Sequence, residues 1–266
     1  MSAVKKEKSY KLYVCGCRGS RPVHGARFDE FGGQTTCMII RTGTYALVID
    51  CGTGLYDAKP ILEGCKDVDV FFTHIHYDHI LGLLFAKVPD CSIRAFGNFG
   101  EWLEDQDCFL HFMEHPYWPV KPKNISRHDV VIGEKIQLEE GITAEFFRSD
   151  HPDNTCVIRI MCDGKKICIF SDCEDPNKLD PEISANSDLL LIDGMFDENE
   201  IESRRGWGHG TWQGGIEFGK KQGVKKLIIT HHNPECGDHT LLSKEKEART
   251  SMENVSFAKA GDSIQI

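Results

Sequence analysis

At 266 residues the chain is long enough to bury one large core, and its 40% apolar and 27% charged residues exclude wholesale disorder. A formal net charge of −10, from 31 basic and 41 acidic residues, excludes a broad electrostatic footprint for nucleic acid and leaves only a local basic patch open. No apolar run after Met1 to Lys8 has the length of an export signal or a membrane span, so a cytoplasmic protein with its twelve cysteines as free thiols is expected.

In chain order, apolar and β-branched runs bounded by Gly, Asp or Pro predict strands at Lys11 to Cys15, Thr36 to Arg41, Tyr45 to Asp50, Val68 to Thr73 and Ser92 to Phe96. A second series predicts strands at Lys135 to Leu138, Thr143 to Arg148, Cys156 to Met161, Lys166 to Ser171, Asp188 to Ile192 and Lys226 to Thr230. Helical patterns fall at Leu55 to Glu63, Asp78 to Ala86, Thr211 to Gln222 and Leu241 to Thr250. Hairpin-like strands mixed with strand–helix units fit mixed sheets with helices outside, in a single domain over 1–266. Periodicity alone does not separate this from other mixed α/β folds.

The stretch from Phe99 to Ile125 breaks the pattern. It is rich in aromatics, carries Pro116, Pro119 and Pro122, and shows no clear strand alternation. It reads as an inserted cap over a ligand or a contact for a second copy of the chain, with Tyr117 and Trp118 near the site or at that contact; a satellite core under a long loop is the other reading.

The densest chemistry is Thr73-His74-Ile75-His76-Tyr77-Asp78-His79, directly after the apolar run Val68-Asp69-Val70-Phe71-Phe72. Three histidines and an aspartate within six positions suit metal ions rather than packing. Residues 74 and 76 can point one way while Asp78 and His79 open the next helix, so two neighbouring ions can each receive ligands. His151 in Ser149-Asp150-His151-Pro152, Asp172 after the run to Ser171, and His231 after the run to Thr230 all lie at carboxyl ends of strands, where α/β sheets place ligand sites. Asp50, in Leu47-Val48-Ile49-Asp50-Cys51-Gly52, is either a strand-end turn former or an acid that fixes a histidine tautomer. Cys15 and Cys17 form a C-x-C that reads as turn chemistry, since no second pair accompanies it.

The HxHxDH loop followed by a His, an Asp and a last His, each at a strand end, resembles the metallo-β-lactamase superfamily from about Tyr10 to Glu235. That resemblance implies a four-layer αββα sandwich of two mixed sheets with outer helices, and two divalent ions, zinc first with iron or manganese also accepted. Carried over, His74, His76 and His151 hold one ion, Asp78, His79 and His231 the other, and Asp172 bridges, with Asp50 hydrogen-bonded near the metal loop.

Three further segments resemble the branch of cyclic-nucleotide phosphodiesterases, phosphonate-pathway phosphodiesterases and ribonuclease Z-like hydrolases. They are Gly19-Ser20-Arg21-Pro22 with Phe31-Gly32-Gly33-Gln34-Thr35-Thr36-Cys37, then Pro116-Tyr117-Trp118-Pro119-Val120, and Gly206-Trp207-Gly208-His209-Gly210-Thr211-Trp212. This resemblance implies a small phosphodiester substrate attacked by a metal-bridging hydroxide that Asp78 orients, while His209 protonates the leaving oxygen or clamps phosphate. Gly210 departs from the hydroxyl residue common there, and capping of the following helix is the other role open to His209. A second implication of the superfamily is a di-iron protein that binds O2 as a redox or oxygen sensor, with Tyr77 as a further contact. Against it, His76 stands where that branch places an acid, and no flavin motif follows.

Overall fold

A computed structural model describes residues 8–84, 92–103, 111–119 and 124–266. Its strands are β1 (Lys11–Gly16), β2 (Cys37–Thr42), β3 (Tyr45–Ile49), β4 (Asp67–Phe71), β5 (Ser92–Gly97), β6 (Ile125–Asp129), β7 (Lys135–Gln137), β8 (Ile142–Arg148), β9 (Cys156–Cys162), β10 (Lys165–Phe170), β11 (Leu189–Asp193), β12 (Leu227–Thr230), β13 (Val255–Phe257) and β14 (Ser263–Gln265). The α-helices are α1 (Lys59–Leu62), α2 (Tyr77–Ile80), α3 (Phe99–Trp102), α4 (Trp212–Lys221) and α5 (Asp238–Ser251).

Two seven-stranded mixed sheets result, ordered β14-β1-β2-β3-β4-β5-β6 and β13-β12-β11-β10-β9-β8-β7. Each is built the same way. Antiparallel pairs join β14 through to β3 and β7 through to β10, and parallel pairs join β3 through to β6 and β10 through to β13.

The inner strands of each sheet are apolar on both faces because both faces are covered. Along β3, Tyr45, Leu47 and Ile49 enter the core between the sheets, while Ala46 and Val48 enter the outer core that also takes Leu55, Ala58 and Leu62. Along β11, Leu189 and Leu191 face the first sheet, while Leu190 and Ile192 join a third core with Trp212, Ile216 and Phe218 of α4 and Leu241 and Ala248 of α5. Three separate cores are what four stacked layers require. Each fully buried Leu or Ile contributes roughly 1.5–3 kcal/mol of transfer free energy, so the central core is the main source of cohesion.

All eleven predicted strands are present, and three more, β6, β13 and β14, were not predicted. They lie at sheet edges, where short, polar sequences such as Ser263-Ile264-Gln265 carry little apolar alternation. The predicted helix from Leu55 to Glu63 is instead a 3-10 stretch, Thr53–Ala58, followed by α1, whose start is set by Pro60. The helix expected from Asp78 begins as α2 and tightens into 3-10 geometry over Leu81–Leu84; Phe85 and Ala86 lie outside the described residues. Helices α4 and α5 agree with expectation within a few residues.

In the 99–125 segment, Trp118 packs against the outer core of the first sheet, as a satellite core would have it, whereas Tyr117 is exposed. Trp102 donates from Nε1 to the Asn154 carbonyl at 3.1 Å, tying the start of this segment to the β8–β9 loop. Val120 and Pro122 lie outside the described residues. The ten described cysteines are all free thiols. Cys15 is part of the outer core, and Cys17 donates its thiol to the Phe31 carbonyl at 3.4 Å. Among the described residues no helix is long and apolar enough to cross a membrane.

Candidate metal centre

The carboxyl ends of β3, β4, β8, β10, β11 and β12 share one edge of the sandwich, because the parallel strands of each sheet run the same way and β8 is two antiparallel steps from β10. The last residues of these strands and the segments that follow them carry Asp50, the 74–79 loop, His151, Asp172, Asp193 and His231. Every predicted metal residue is drawn together. Nitrogen and oxygen atoms of His74, His76, His151 and Asp172 fall within 4.8 Å of one another, as do those of Asp78, His79 and His231, and those of Asp172, His209 and His231.

Asp172 sits at the junction. Its Oδ2 lies 3.5 Å from His74 Nε2, while its Oδ1 lies 3.3 Å from both His79 Nε2 and His231 Nε2. Asp78 Oδ2 closes the second group at 3.4 Å from His79 Nε2 and 3.3 Å from His231 Nε2. The two oxygens of one carboxylate thus face two different sets of imidazoles.

The surrounding residues aim these donors. Asp50, at φ +58, accepts the Thr73 amide on Oδ1 at 2.8 Å, and on Oδ2 the Thr73 hydroxyl at 2.9 Å and His79 Nδ1 at 2.8 Å. That carboxylate keeps the His79 proton on Nδ1 and turns the Nε2 lone pair inward, the tautomer role expected for Asp50. His151 Nδ1 is engaged by the Asp153 amide at 3.2 Å and the Thr155 hydroxyl at 2.9 Å, leaving Nε2 for the cluster. The Ser20 amide donates to Asp78 Oδ2 at 2.7 Å. His76 is the exposed member, with Nε2 3.0 Å from Asp153 Oδ2.

His209 is brought to the same place. Its ring stacks on His231 with centroids 4.8 Å apart, and its Nδ1 bonds Asp193 Oδ2 at 2.8 Å. The helix cap that was its other possible role belongs to Thr211, whose hydroxyl accepts from the Gly214 amide at 3.0 Å. Asp193 escaped the sequence reading. The signal was present: Ile192-Asp193-Gly194 repeats the apolar-strand-then-Asp pattern of Ile49-Asp50-Cys51, but it reads equally as a strand ending in a turn. The Ser20 amide gave no signal at all, since a backbone contact made at φ +59 cannot be read from residue type.

Electrostatics prepare the set for cations. Burial opposes the charge on Asp172, yet His231 and His79 hold it well below the usual carboxylate range, and Asp78 is lowered against burial by His79 and His231. Burial, then the neighbouring His79, keeps His74 neutral, and burial pushes His151 down to about 4. His79 differs: burial works against its charge, but Asp172, Asp78 and Asp50 raise it well above its ordinary value. Ionised carboxylates and neutral imidazoles are the forms a metal binds, so an ion would take the place of the proton on His79 Nε2. His74 Nε2, His79 Nε2 and Asp172 Oδ1 are buried without hydrogen-bond partners, an arrangement that is costly unless a cation takes their lone pairs. The donor set therefore fits metal. His209 behaves oppositely: burial works against its charge, but Asp193, Asp172 and Asp78 push it up to about 9. Ser20, Ile75, His76, Tyr77, Asp78, Asp172 and His209 line a cleft of about 380 Å³ that opens on this cluster.

Comparison with known proteins agrees with this architecture. The model of the β-lactamase superfamily domain matches residues 45–232. The chain is 25% identical over 265 residues to the probable metallo-hydrolase YhfI of Bacillus subtilis, covering 94% of this chain and 98% of that one. It is 22% identical to ribonuclease Z of Archaeoglobus fulgidus, over 97% and 98% of the two chains. The crystal structure of YhfI superposes with a TM-score of 0.75 at 22% identity, over 98% of this chain and all of that one. A diphosphatase of the PhnP family superposes with a TM-score of 0.69 at 18% identity, over 97% of each chain.

Proposed function

We propose that this chain, which belongs to the β-lactamase superfamily, holds two divalent metal ions between its sheets and hydrolyses a small phosphodiester. The observation that carries the reading is Asp172, whose two buried oxygens face separate imidazole sets, with His209 stacked beside them. His74, His76 and His151 would hold one ion, Asp78, His79 and His231 the other, and Asp172 both. Zinc, iron and manganese all accept such donors. When bound, the ions supply a water activated at neutral pH and positive charge to offset that of the phosphate.

The protein's own residues supply the rest. Asp78, fixed by the Ser20 amide, orients the attacking water through its carboxylate. His209, with its proton secured by Asp193 and its pKa pushed up to about 9, is charged at neutral pH and donates to the leaving oxygen as general acid. A cleft of about 380 Å³ suits a small molecule, and a net charge of −10 disfavours a long polyanion.

The test is metal analysis of protein purified without oxygen, joined to assays of bis(p-nitrophenyl) phosphate and cyclic nucleotides. Two ions per chain and turnover abolished by chelation are expected. Absence of hydrolysis by zinc-, manganese- and iron-loaded protein would sink the proposal, and a new visible band when iron-loaded protein meets air would put the oxygen-binding reading in its place.

A further inference from the structure

The loop that brings His209 to the site also displays an indole. Gly206 and Gly208, at φ +81 and +85, bracket Trp207, and both glycine amides donate to Glu174 Oε2, at 2.7 and 3.1 Å. The Trp207 amide donates to the Arg204 carbonyl at 3.1 Å. Gly208 is pressed on a candidate ligand, for a Cβ there would lie 2.0 Å from the His151 ring. Trp207 is thereby held one residue before Gly208, which packs on His151, and two before His209, which lines the cleft.

Its ring is supported by two neighbours. Phe196 meets it at 6.3 Å between centroids, edge to face, and the Arg204 guanidinium lies 4.6 Å from the Phe196 centroid and 5.7 Å from that of the indole. Phe196 also touches His209, at 6.1 Å. Despite this support Trp207 remains 59% exposed, and Tyr77, which lines the cleft, is 68% exposed. An indole held but left in water adds little to the core, and two left-handed glycines raise the entropy lost on folding. The arrangement gains its use from a planar ligand, which both rings can stack without hydrogen-bond readout.

We propose that Trp207 and Tyr77 form a stacking rim for a nucleobase, so that the phosphodiester this site takes is a nucleotide. The proposal rests on the phosphodiester reading, which places the phosphate at Asp78, Asp172 and His209 while the base leans outward onto the two rings. Cation–π attraction from Arg204 stiffens the Trp207 platform.

Equilibrium titration of metal-replete protein with adenosine 5′-monophosphate and with ribose 5-phosphate tests it, read by calorimetry and tryptophan fluorescence. Wild type should bind the nucleotide about tenfold tighter than the sugar phosphate, with fluorescence quenched by the nucleotide alone. W207A should remove most of that ratio without changing ribose 5-phosphate binding, W207F should restore most of it without the quench, and Y77A should lower it partway. An unchanged ratio in W207A, equal binding of the two ligands, or no binding of either overturns the rim. Equal binding by an enzyme that still hydrolyses phosphodiesters removes the rim alone. A base preference that W207A abolishes, in a protein that hydrolyses nothing, leaves the rim and removes the hydrolase.

Discussion

Asp50 offers the sharpest separation of folding from metal binding. Its carboxylate is fully buried and accepts three donors, the Thr73 amide, the Thr73 hydroxyl and His79 Nδ1. Asp50→Ala strands the Thr73 amide and His79 Nδ1, while the Thr73 hydroxyl keeps His74 Nδ1 at 3.1 Å, and at roughly 1–3 kcal/mol per buried unpaired group the fold should lose roughly 2–6 kcal/mol. For a chain of this size that lowers the melting temperature by roughly 10 °C. Asp50→Asn is the more informative change. It keeps an acceptor for the Thr73 amide but can set an NH2 against His79 Nδ1, which moves the ring proton to Nε2, the nitrogen aimed at the second ion. Most of the stability should survive while affinity for that ion falls roughly 10- to 100-fold. Competition against a chromogenic chelator, with metal content by mass spectrometry and a melting curve for each variant, reads both quantities. An Asp50→Asn protein that melts normally and keeps wild-type affinity for both ions would refute the tautomer argument.

Three further outcomes are expected. His74→Ala should lose one ion and Asp172→Ala should lose both or bind them far more weakly, whereas His24→Ala keeps two; full retention in Asp172→Ala, measured by metal analysis, would show that its carboxylate is not shared. His209→Ala should keep both ions and lose about a hundred-fold or more in turnover of a phosphodiester, with substrate binding changed less; full activity would reduce His209 to packing on His231. His232 is buried and pushed down to about 3, chiefly by desolvation, with Nε2 donating to the Ala258 carbonyl at 2.9 Å. Because the unfolded chain takes up the proton near pH 6.5 and the folded one near 3, stability contributed by the neutral ring is full above pH 6.5 and falls by about 1.4 kcal/mol per pH unit as pH drops between them. Denaturant melts of wild type and His232→Gln from about pH 7 to about pH 4 should show the variant with the shallower slope.

The fold was legible where burial on both strand faces leaves an unmistakable apolar run, as in Leu189-Leu190-Leu191-Ile192, and illegible at the edges, where β6 and β14 need apolar residues on one side at most. The site was legible because a metal demands particular atoms in numbers: the 74–79 loop is too dense in donors for packing, and His151, Asp172 and His231 stand at strand ends. Asp193 was missed because a single carboxylate bonded to a single histidine has no spacing rule. Trp118 was open between site and core because an aromatic beside prolines reads alike in either setting; its contacts with the outer core follow from chain geometry that composition does not encode.

The two sheets, alike in strand order, contribute unlike halves of the donor set. The first brings His74, His76, Asp78 and His79 on one loop, and the second brings His151, Asp172 and His231 on three. Neither sheet can saturate an ion alone, so a bound pair would act as a rivet through the seam between them. Ion affinity then becomes adhesion between layers that otherwise cohere through apolar contact, and each tenfold of free ion above its dissociation constant adds about 1.4 kcal/mol against their parting. The edge of the sandwich that carries the donor set would also be where the molecule is locked, and an intruding chelator would meet a protein that opens from that edge.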